Sequence, residues 1–341
     1  MTVPRVLFSV PARSQYFPRL WTESADHAGE ETGLAVDFLT GDGPRSAAEW
    51  RLAMVGYDAV ITSWGMVRLD EDTLPNDRRL RLVAHAAGSV ADLVSPELYR
   101  RGIRVTSANG IMARSVAEWC LAMTINARMN LIGLAGVGGQ KPMNWENRYR
   151  TAMVEGATVG IWGYGEIARR YVHYLRPLHP ARITVCSHHL TESEAAQDGI
   201  ILSSLPDVFA ADVVVLLAGL SLENSGRVDA ALLGKIRPGA ALLNPGRARL
   251  VDETAWRAAL ATGKINLYQD VFYTEPPQAD DPVLRLPNVL LTPHQGGLSS
   301  IPQYVPTMLR FIHDFFSTGT LADEITMSQA LRMTSHQVAA G

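Results

Sequence analysis

Three polar residues stand where apolar runs end in the second half of the chain: Arg247 in "LLNPGRARLVDE", Glu275 in "QDVFYTEPP" and His294 in "LLTPHQGG". Their types suit the reduction of a carbonyl beside a carboxylate. A guanidinium grips a carboxylate through two parallel N–H donors. An imidazole, with an ordinary pKa of about 6.5, exchanges a proton at neutral pH, and a carboxylate behind it fixes its tautomer and keeps it ready as an acid. The separations of 28 and 19 residues are each about one strand–helix or strand–loop unit, so three strand ends gathered at one sheet edge would bring the residues together. Singly, each has a plainer reading: Arg247 as a partner for loop carbonyls, Glu275 as a solvated turn residue, His294 as a polar cap. Their weight comes from standing together downstream of a nucleotide fingerprint.

That fingerprint is "VGIWGYGEIA", in which Gly163, Gly165 and Ala168 match G-x-G-x-x-G/A between a β-like run and a helical one. Gly163 permits the tight turn, Gly165 lets the backbone approach a pyrophosphate, and Ala168 lets the helix pack closely while its N-terminus faces the phosphates. The turn residues Gly163, Tyr164, Gly165, Glu166 and Ile167 are therefore candidate cofactor contacts. An acid about 20 residues on would hold the adenosine ribose hydroxyls. Here that position reads Ser187-His188-His189, with neither Asp nor Glu. Removing the acid removes the main repulsion against a 2′-phosphate, which favours NADP over NAD. Ser187 and His188 are the contacts offered in its place.

The elements that must position these residues alternate along the chain. "RVLFSV", "DAVITSW", "LRLVAHAAG" and "IRVTSA" read as strands separated by helical stretches such as "SAAEWRLAMV", and a long apolar helix follows Ser115. From "TVGIWG" the alternation resumes through "ARITVCS", "ADVVVLLAG", "GAALLNPG", "INLYQDVF" and "NVLLTPH", six strands that predict one doubly wound sheet. The expected fold class is α/β, with two Rossmann-like doubly wound parallel-sheet domains. Residues 111–297 form the dinucleotide-binding domain. Residues 1–110 and 298–341 form a discontinuous substrate-binding domain, because the final helix after Gly297 packs back on the first. With 341 residues, 47% of them hydrophobic, the chain can fill two cores. A formal charge of -3 without basic blocks argues against nucleic acid and membrane surfaces as partners. Cys120 and Cys186 show neither disulfide nor metal-ligand spacing, which fits a reducing cytoplasm and no metal. The short apolar run near the N-terminus is broken by Pro11, unlike a secretory signal.

In this order and spacing the segments resemble the D-isomer-specific 2-hydroxyacid dehydrogenases, of the kind that reduce glyoxylate or hydroxypyruvate. "LRLVAHAAGSVADLV" is similar to the family's substrate loop and "RGIRVTSANGIMARSVAEWCLAM" to the segment entering the cofactor domain. The resemblance implies that Arg247 binds the substrate carboxylate and keto oxygen, that His294 is the acid/base and that Glu275 pairs with it. It further implies that Asp270 bonds the nicotinamide carboxamide and that the loop carrying Gly219 and Ser225 lies near the cofactor. The backbone amides of Gly88, Ser89 and Val90 would hold the substrate carboxylate, with Trp64 as a pocket wall. Register selects Arg247 over Arg249, since the family's arginine stands three residues before L-V-D. Ala248, Val90, Gly219 and Gln295 depart from the usual pattern, and Ser89, Val90 and Gln295 leave the substrate's identity open.

The expected reaction is reversible hydride transfer between NAD(P) and a 2-oxo or D-2-hydroxy acid. Phosphite or a phosphonate-bearing keto acid would suit the same Arg–Glu–His set, whereas formate oxidation resembles relatives that carry Gln in place of Glu275. A dinucleotide-sensing protein similar to the C-terminal binding corepressors is the rival from another class. A homodimer is expected through the apolar helix from Val116 and the following "LIGLAGVGG".

Overall fold

A computed structural model describes residues 3–135, 143–146 and 148–334. The chain divides into two compact units, Met1–Met112 with Leu298–Gly341 and Ala113–Gly297. Both are α/β units built on wholly parallel sheets.

The first unit carries β1 (Arg5–Phe8), β2 (Ala35–Phe38), β3 (Ala59–Thr62), β4 (Leu82–His85) and β5 (Arg104–Ser107), in the order β2-β1-β3-β4-β5. Strand side chains alternate between two apolar layers, as the two-residue period requires. Val6 and Phe8 enter one core with Ile61, Ala84 and the helix Tyr304–Thr318, while Leu7 joins Val60, Val83, Trp50 and Leu98 in the other. Met308, Leu309 and Ile312 of that helix are fully buried. At roughly 1.5–3 kcal/mol for each such side chain, the helix is part of this core rather than an appendage. β2 escapes the sequence pattern because its residues "AVDF" are all partly or fully exposed and include Asp37.

The second unit carries β6 (Thr158–Trp162), β7 (Arg182–Cys186), β8 (Ile201–Leu202), β9 (Val213–Leu216), β10 (Ala241–Asn244), β11 (Asn266–Gln269) and β12 (Val289–Leu291). Their order is β12-β11-β10-β9-β6-β7-β8. The sheet thus has seven strands where the apolar runs indicate six. The addition is β8, a two-residue edge strand beside β7, too short to raise a periodic signal. β9 reads as a solid apolar run because it is buried throughout, as expected of a parallel strand covered on both faces. The long helix runs Asn109–Arg128 and ends before Asn130, whose φ of 52° breaks the helical path ahead of Leu131–Leu134. Residues 136–139 of the stretch expected to support association lie outside the described residues.

Among the described residues no helix is long and apolar enough to cross a membrane, and no cluster of His, Cys, Asp and Glu suits a metal ion.

Candidate active site

Register decides which residues of the second unit stand together. Asn244 of β10 pairs with Gln269 of β11, and Gln269 pairs with Leu291 of β12. The three strands therefore end level. Arg247 and His294 follow their strands by three residues, and Glu275 follows β11 by six. On the other side of the sheet Trp162 pairs with both Cys186 and Leu216, so the fingerprint turn, the Ser187-His188 end and the loop after β9 open on the same carboxyl edge.

The His294 ring closes on Glu275, with Nδ1 2.7 Å from Oε2. The other carboxylate oxygen of Glu275 accepts the backbone N–H of Phe272 at 2.9 Å, which fixes the carboxyl plane. Both side chains remain partly open to solvent, at 45% and 39% exposure. His294 has a φ of 50°, in the left-handed region, where a residue with a Cβ is uncommon. The backbone around it is held by Asp270, which is 2% exposed. Asp270 Oδ1 accepts from Thr292 Oγ1 at 2.5 Å and from Gln295 N at 2.9 Å, and Oδ2 accepts from Gly296 N at 2.8 Å. From the helix Asn109–Arg128, Trp119 Nε1 donates to Thr292 Oγ1 at 3.1 Å and Ser115 Oγ donates to the Gly296 carbonyl at 2.5 Å. A strained turn is thus tied down on both sides of the histidine.

Arg247 is half-buried in its loop, and Asn244 braces it. Asn244 is fully buried, and it donates from Nδ2 to the Arg247 carbonyl at 3.1 Å and accepts from Gly246 N at 3.2 Å. Burial lowers the guanidinium pKa, and the carboxylate of Glu275 opposes that shift. Arg247 and Glu275 are therefore electrostatic neighbours, with one guanidinium N–H spent on the Gly246 carbonyl at 2.7 Å. Arg249 contributes its carbonyl to Gly226 N at 2.8 Å.

The fingerprint turn has the shape a dinucleotide needs. Gly163 has a φ of 95°, and a Cβ there would stand 2.4 Å from Ala218 N, so the strand ends touch through it. At Gly165 a Cβ would meet nothing within 4 Å, leaving space above the backbone. The helix Glu166–Leu175 starts there without a side-chain cap, so no side chain occupies its first amides, the groups a pyrophosphate would take. Ala168 is fully buried. Tyr164 turns its hydroxyl to Asp198 Oδ2 at 2.7 Å, which leaves its backbone for a ligand. Glu166 reaches toward Arg170, at 3.9 Å, and Ile167 is half-buried. Ser187 is half-buried and His188 exposed. Gly219 accepts from Asn224 Nδ2 at 2.9 Å and Ser225 N donates to the Ser221 carbonyl at 3.0 Å, folding that loop on itself.

In the first unit, Gly88 is buried, with Met112 Cε 2.5 Å from where a Cβ would stand. Ser89 donates to the Thr334 carbonyl at 2.7 Å. Val90 is fully buried in a core cluster with Leu93, so only its backbone is left for a ligand. Trp64 packs against the other core, its ring 5.4 Å from Tyr16 and 6.1 Å from Tyr304. Sequence reasoning missed Asn244, Thr292, Trp119 and Ser115. Of these only Asn244, polar at the end of a buried run, carried a local signal.

Fold and site define a dinucleotide-binding α/β protein with an acid–histidine pair at the carboxyl edge of its sheet. Residues 131–296 match the NAD binding domain of the D-isomer specific 2-hydroxyacid dehydrogenases. The match covers just under half of the chain and lies within its second unit. The chain is 29% identical over 238 residues to the D-3-phosphoglycerate dehydrogenase of Mycobacterium bovis, covering 69% of this chain and 44% of that protein. This chain thus spans less than half the length of that relative. It is 28% identical over 248 residues to the glyoxylate reductase of Pyrococcus furiosus, covering 70% and 73%. Among solved structures, a phosphoglycerate oxidoreductase from Rhizobium etli shares the fold with a TM-score of 0.77 at 22% identity, over 95% of this chain and 98% of that one.

Proposed function

We propose that this chain is an NAD(P)-dependent oxidoreductase that reversibly reduces a 2-oxo acid to a D-2-hydroxy acid. The observation that carries the reading is the 2.7 Å contact between His294 Nδ1 and Glu275 Oε2, with Arg247 as the electrostatic neighbour of the same carboxylate. With Nδ1 engaged, Nε2 is the ring nitrogen left to hold and deliver a proton. A bound dihydronicotinamide would supply the hydride to the carbonyl carbon. His294 gives its proton to the carbonyl oxygen, and Arg247 binds the carboxylate and steadies the negative charge that develops on that oxygen. Glu275 holds the ring in one orientation.

The cofactor is held through the amides of Gly163 to Ile167, with Ser187, His188, Gly219 and Ser225 around the adenosine half. Asp270 is assigned to the carboxamide by family resemblance. The absence of an acid after β7 supports NADP over NAD. Gly88, Ser89, Val90 and Trp64 are assigned to the substrate by the same resemblance. Met129 and Leu131, 48% and 41% exposed, support a homodimer. Gel filtration at the monomer mass would sink that part.

The test is a panel following NADPH and NADH oxidation with glyoxylate, hydroxypyruvate, pyruvate, phenylpyruvate and phosphonopyruvate, together with NAD(P) reduction by phosphite. Turnover of one or more oxo acids is expected, faster with NADPH. Phosphite oxidation alone would replace the substrate class. Tight cofactor binding without any turnover would overturn the enzymatic reading in favour of a dinucleotide sensor.

A further inference from the structure

The segment after the helix Tyr304–Thr318 runs as a strap across the first unit. Glu324 pairs with Arg104 and forms an antiparallel bridge with Thr106, and Ile325 N donates to the Val105 carbonyl at 2.8 Å. β5 is an edge strand, and these contacts cover its open row of backbone groups. Tyr99 then donates from its hydroxyl to the Ile325 carbonyl at 3.2 Å. A capping box of Thr326 and Gln329 opens the short helix Met327–Ala330, whose Ala330 is 1% exposed. Met333 packs against the cluster that holds Val90 and Leu93. The strap reaches Thr334, whose carbonyl accepts the Ser89 hydroxyl at 2.7 Å.

A serine hydroxyl has one proton to donate. At Ser89 that proton is committed to Thr334, while the oxygen accepts Ala91 N at 3.2 Å. The hydroxyl is therefore a brace inside the loop. Below it Val90 is locked into the core, and beside it Met112 crowds Gly88. The geometry points to residues 325–334 as a positioning element for the Gly88–Val90 loop, with the Ser89–Thr334 bond as its clasp. Its effect on catalysis rests on the assignment of that loop to the substrate carboxylate. The clasp sets how well the amides of residues 88–90 are preorganised for an anion, so its loss should weaken substrate binding and leave the chemical step largely intact.

The experiment uses the full chain with Ser89→Ala, Met333→Ala, the double variant and Ser89→Thr, which keeps a hydroxyl. KM and kcat are measured with the best oxo acid, and amide hydrogen exchange is followed over residues 88–94. Ser89→Ala and Met333→Ala are each expected to raise KM about 2- to 10-fold, the range of one lost hydrogen bond, with kcat little changed and exchange faster. The double variant should fall short of the product of the two, because both remove one coupling. Ser89→Thr should restore KM. Unchanged exchange in both single variants would overturn the proposal. So would a KM rise confined to Ser89→Ala, which would make the hydroxyl a direct substrate contact. A protein that turns over no oxo acid would defeat the functional reading instead, while the exchange measurement, which needs no substrate, would still decide the strap.

Discussion

Glu275 Oε2 lies 2.7 Å from His294 Nδ1, although 19 residues separate them and the histidine stands in a left-handed backbone conformation. The pair is reached only because β11 and β12 are adjacent and end level. If His294 is the proton donor, His294→Ala should lower kcat/KM for oxo-acid reduction on the order of 10²-fold or more. Glu275→Gln, which keeps a hydrogen-bond acceptor but loses the charge, should lower it less. Steady-state kinetics on folded variants with matched cofactor affinity checks both. Near-normal reduction by His294→Ala would refute the role.

Asp270 accepts three hydrogen bonds from the turn that carries His294, two of them from backbone amides. Replacing it with Ala strands those donors in a buried site, at a cost of about 1–3 kcal/mol for each unsatisfied group. Asp270→Ala should therefore lower the melting temperature and the activity together. A variant with wild-type stability would show that the turn holds itself.

Gly163 and Gly165 should fail in different ways. A Cβ at Gly163 collides with the Ala218 backbone at 2.4 Å in a φ of 95°, so Gly163→Ala should destabilise the cofactor-free protein. At Gly165 the Cβ enters open space, and the backbone there is extended. Gly165→Ala should keep the unliganded melting temperature and raise the dinucleotide Kd about 10-fold or more, by filling the place the pyrophosphate needs. Thermal unfolding and a fluorescence titration separate the two.

An acid introduced after β7 should invert cofactor preference. His188→Asp would repel a 2′-phosphate and accept from ribose hydroxyls, so the ratio of kcat/KM for NADPH over NADH should fall by about 10-fold or more. If the ratio stays fixed, the adenosine ribose lies elsewhere.

His85 closes β4 with its Nδ1 2.8 Å from Thr62 Oγ1, and burial pushes its pKa down to about 4. It is neutral when folded, so an unfolded chain binds the extra proton first. Stability is intact above about pH 6.5 and falls as the pH drops from there toward 4, by about 3 kcal/mol at most for a shift of this size. Urea unfolding between pH 7 and 4 should show this fall, and His85→Gln should flatten it. A parallel decline in the variant would assign the acid sensitivity to other groups.

The fingerprint was legible from residues 163–168 because its glycines act locally, within one strand–helix turn. Arg247, Glu275 and His294 could be nominated from their types and their places after apolar runs. Asp270 could be named, but its grip on the 292–296 turn depends on β11 lying beside β12. Val90 and Trp64 were named by family resemblance; the Val90 side chain is buried in one core, and Trp64, half-buried, packs against the other. β2 and β8 went unread because an exposed or two-residue edge strand has too little burial to impose a pattern.

By itself the sequence determined the α/β alternation, the glycine-rich turn and the kinds of chemistry available, since all three follow from local periodicity, glycine conformational freedom and side-chain pKa. Tertiary structure alone decided that the histidine's Nδ1 faces Glu275, that Asn244 and Asp270 brace the loops carrying Arg247 and His294, and that the Ser89 hydroxyl closes on Thr334. Those contacts join positions up to 245 residues apart. Strand order and register create them, and no local pattern in the chain records which strands will be neighbours.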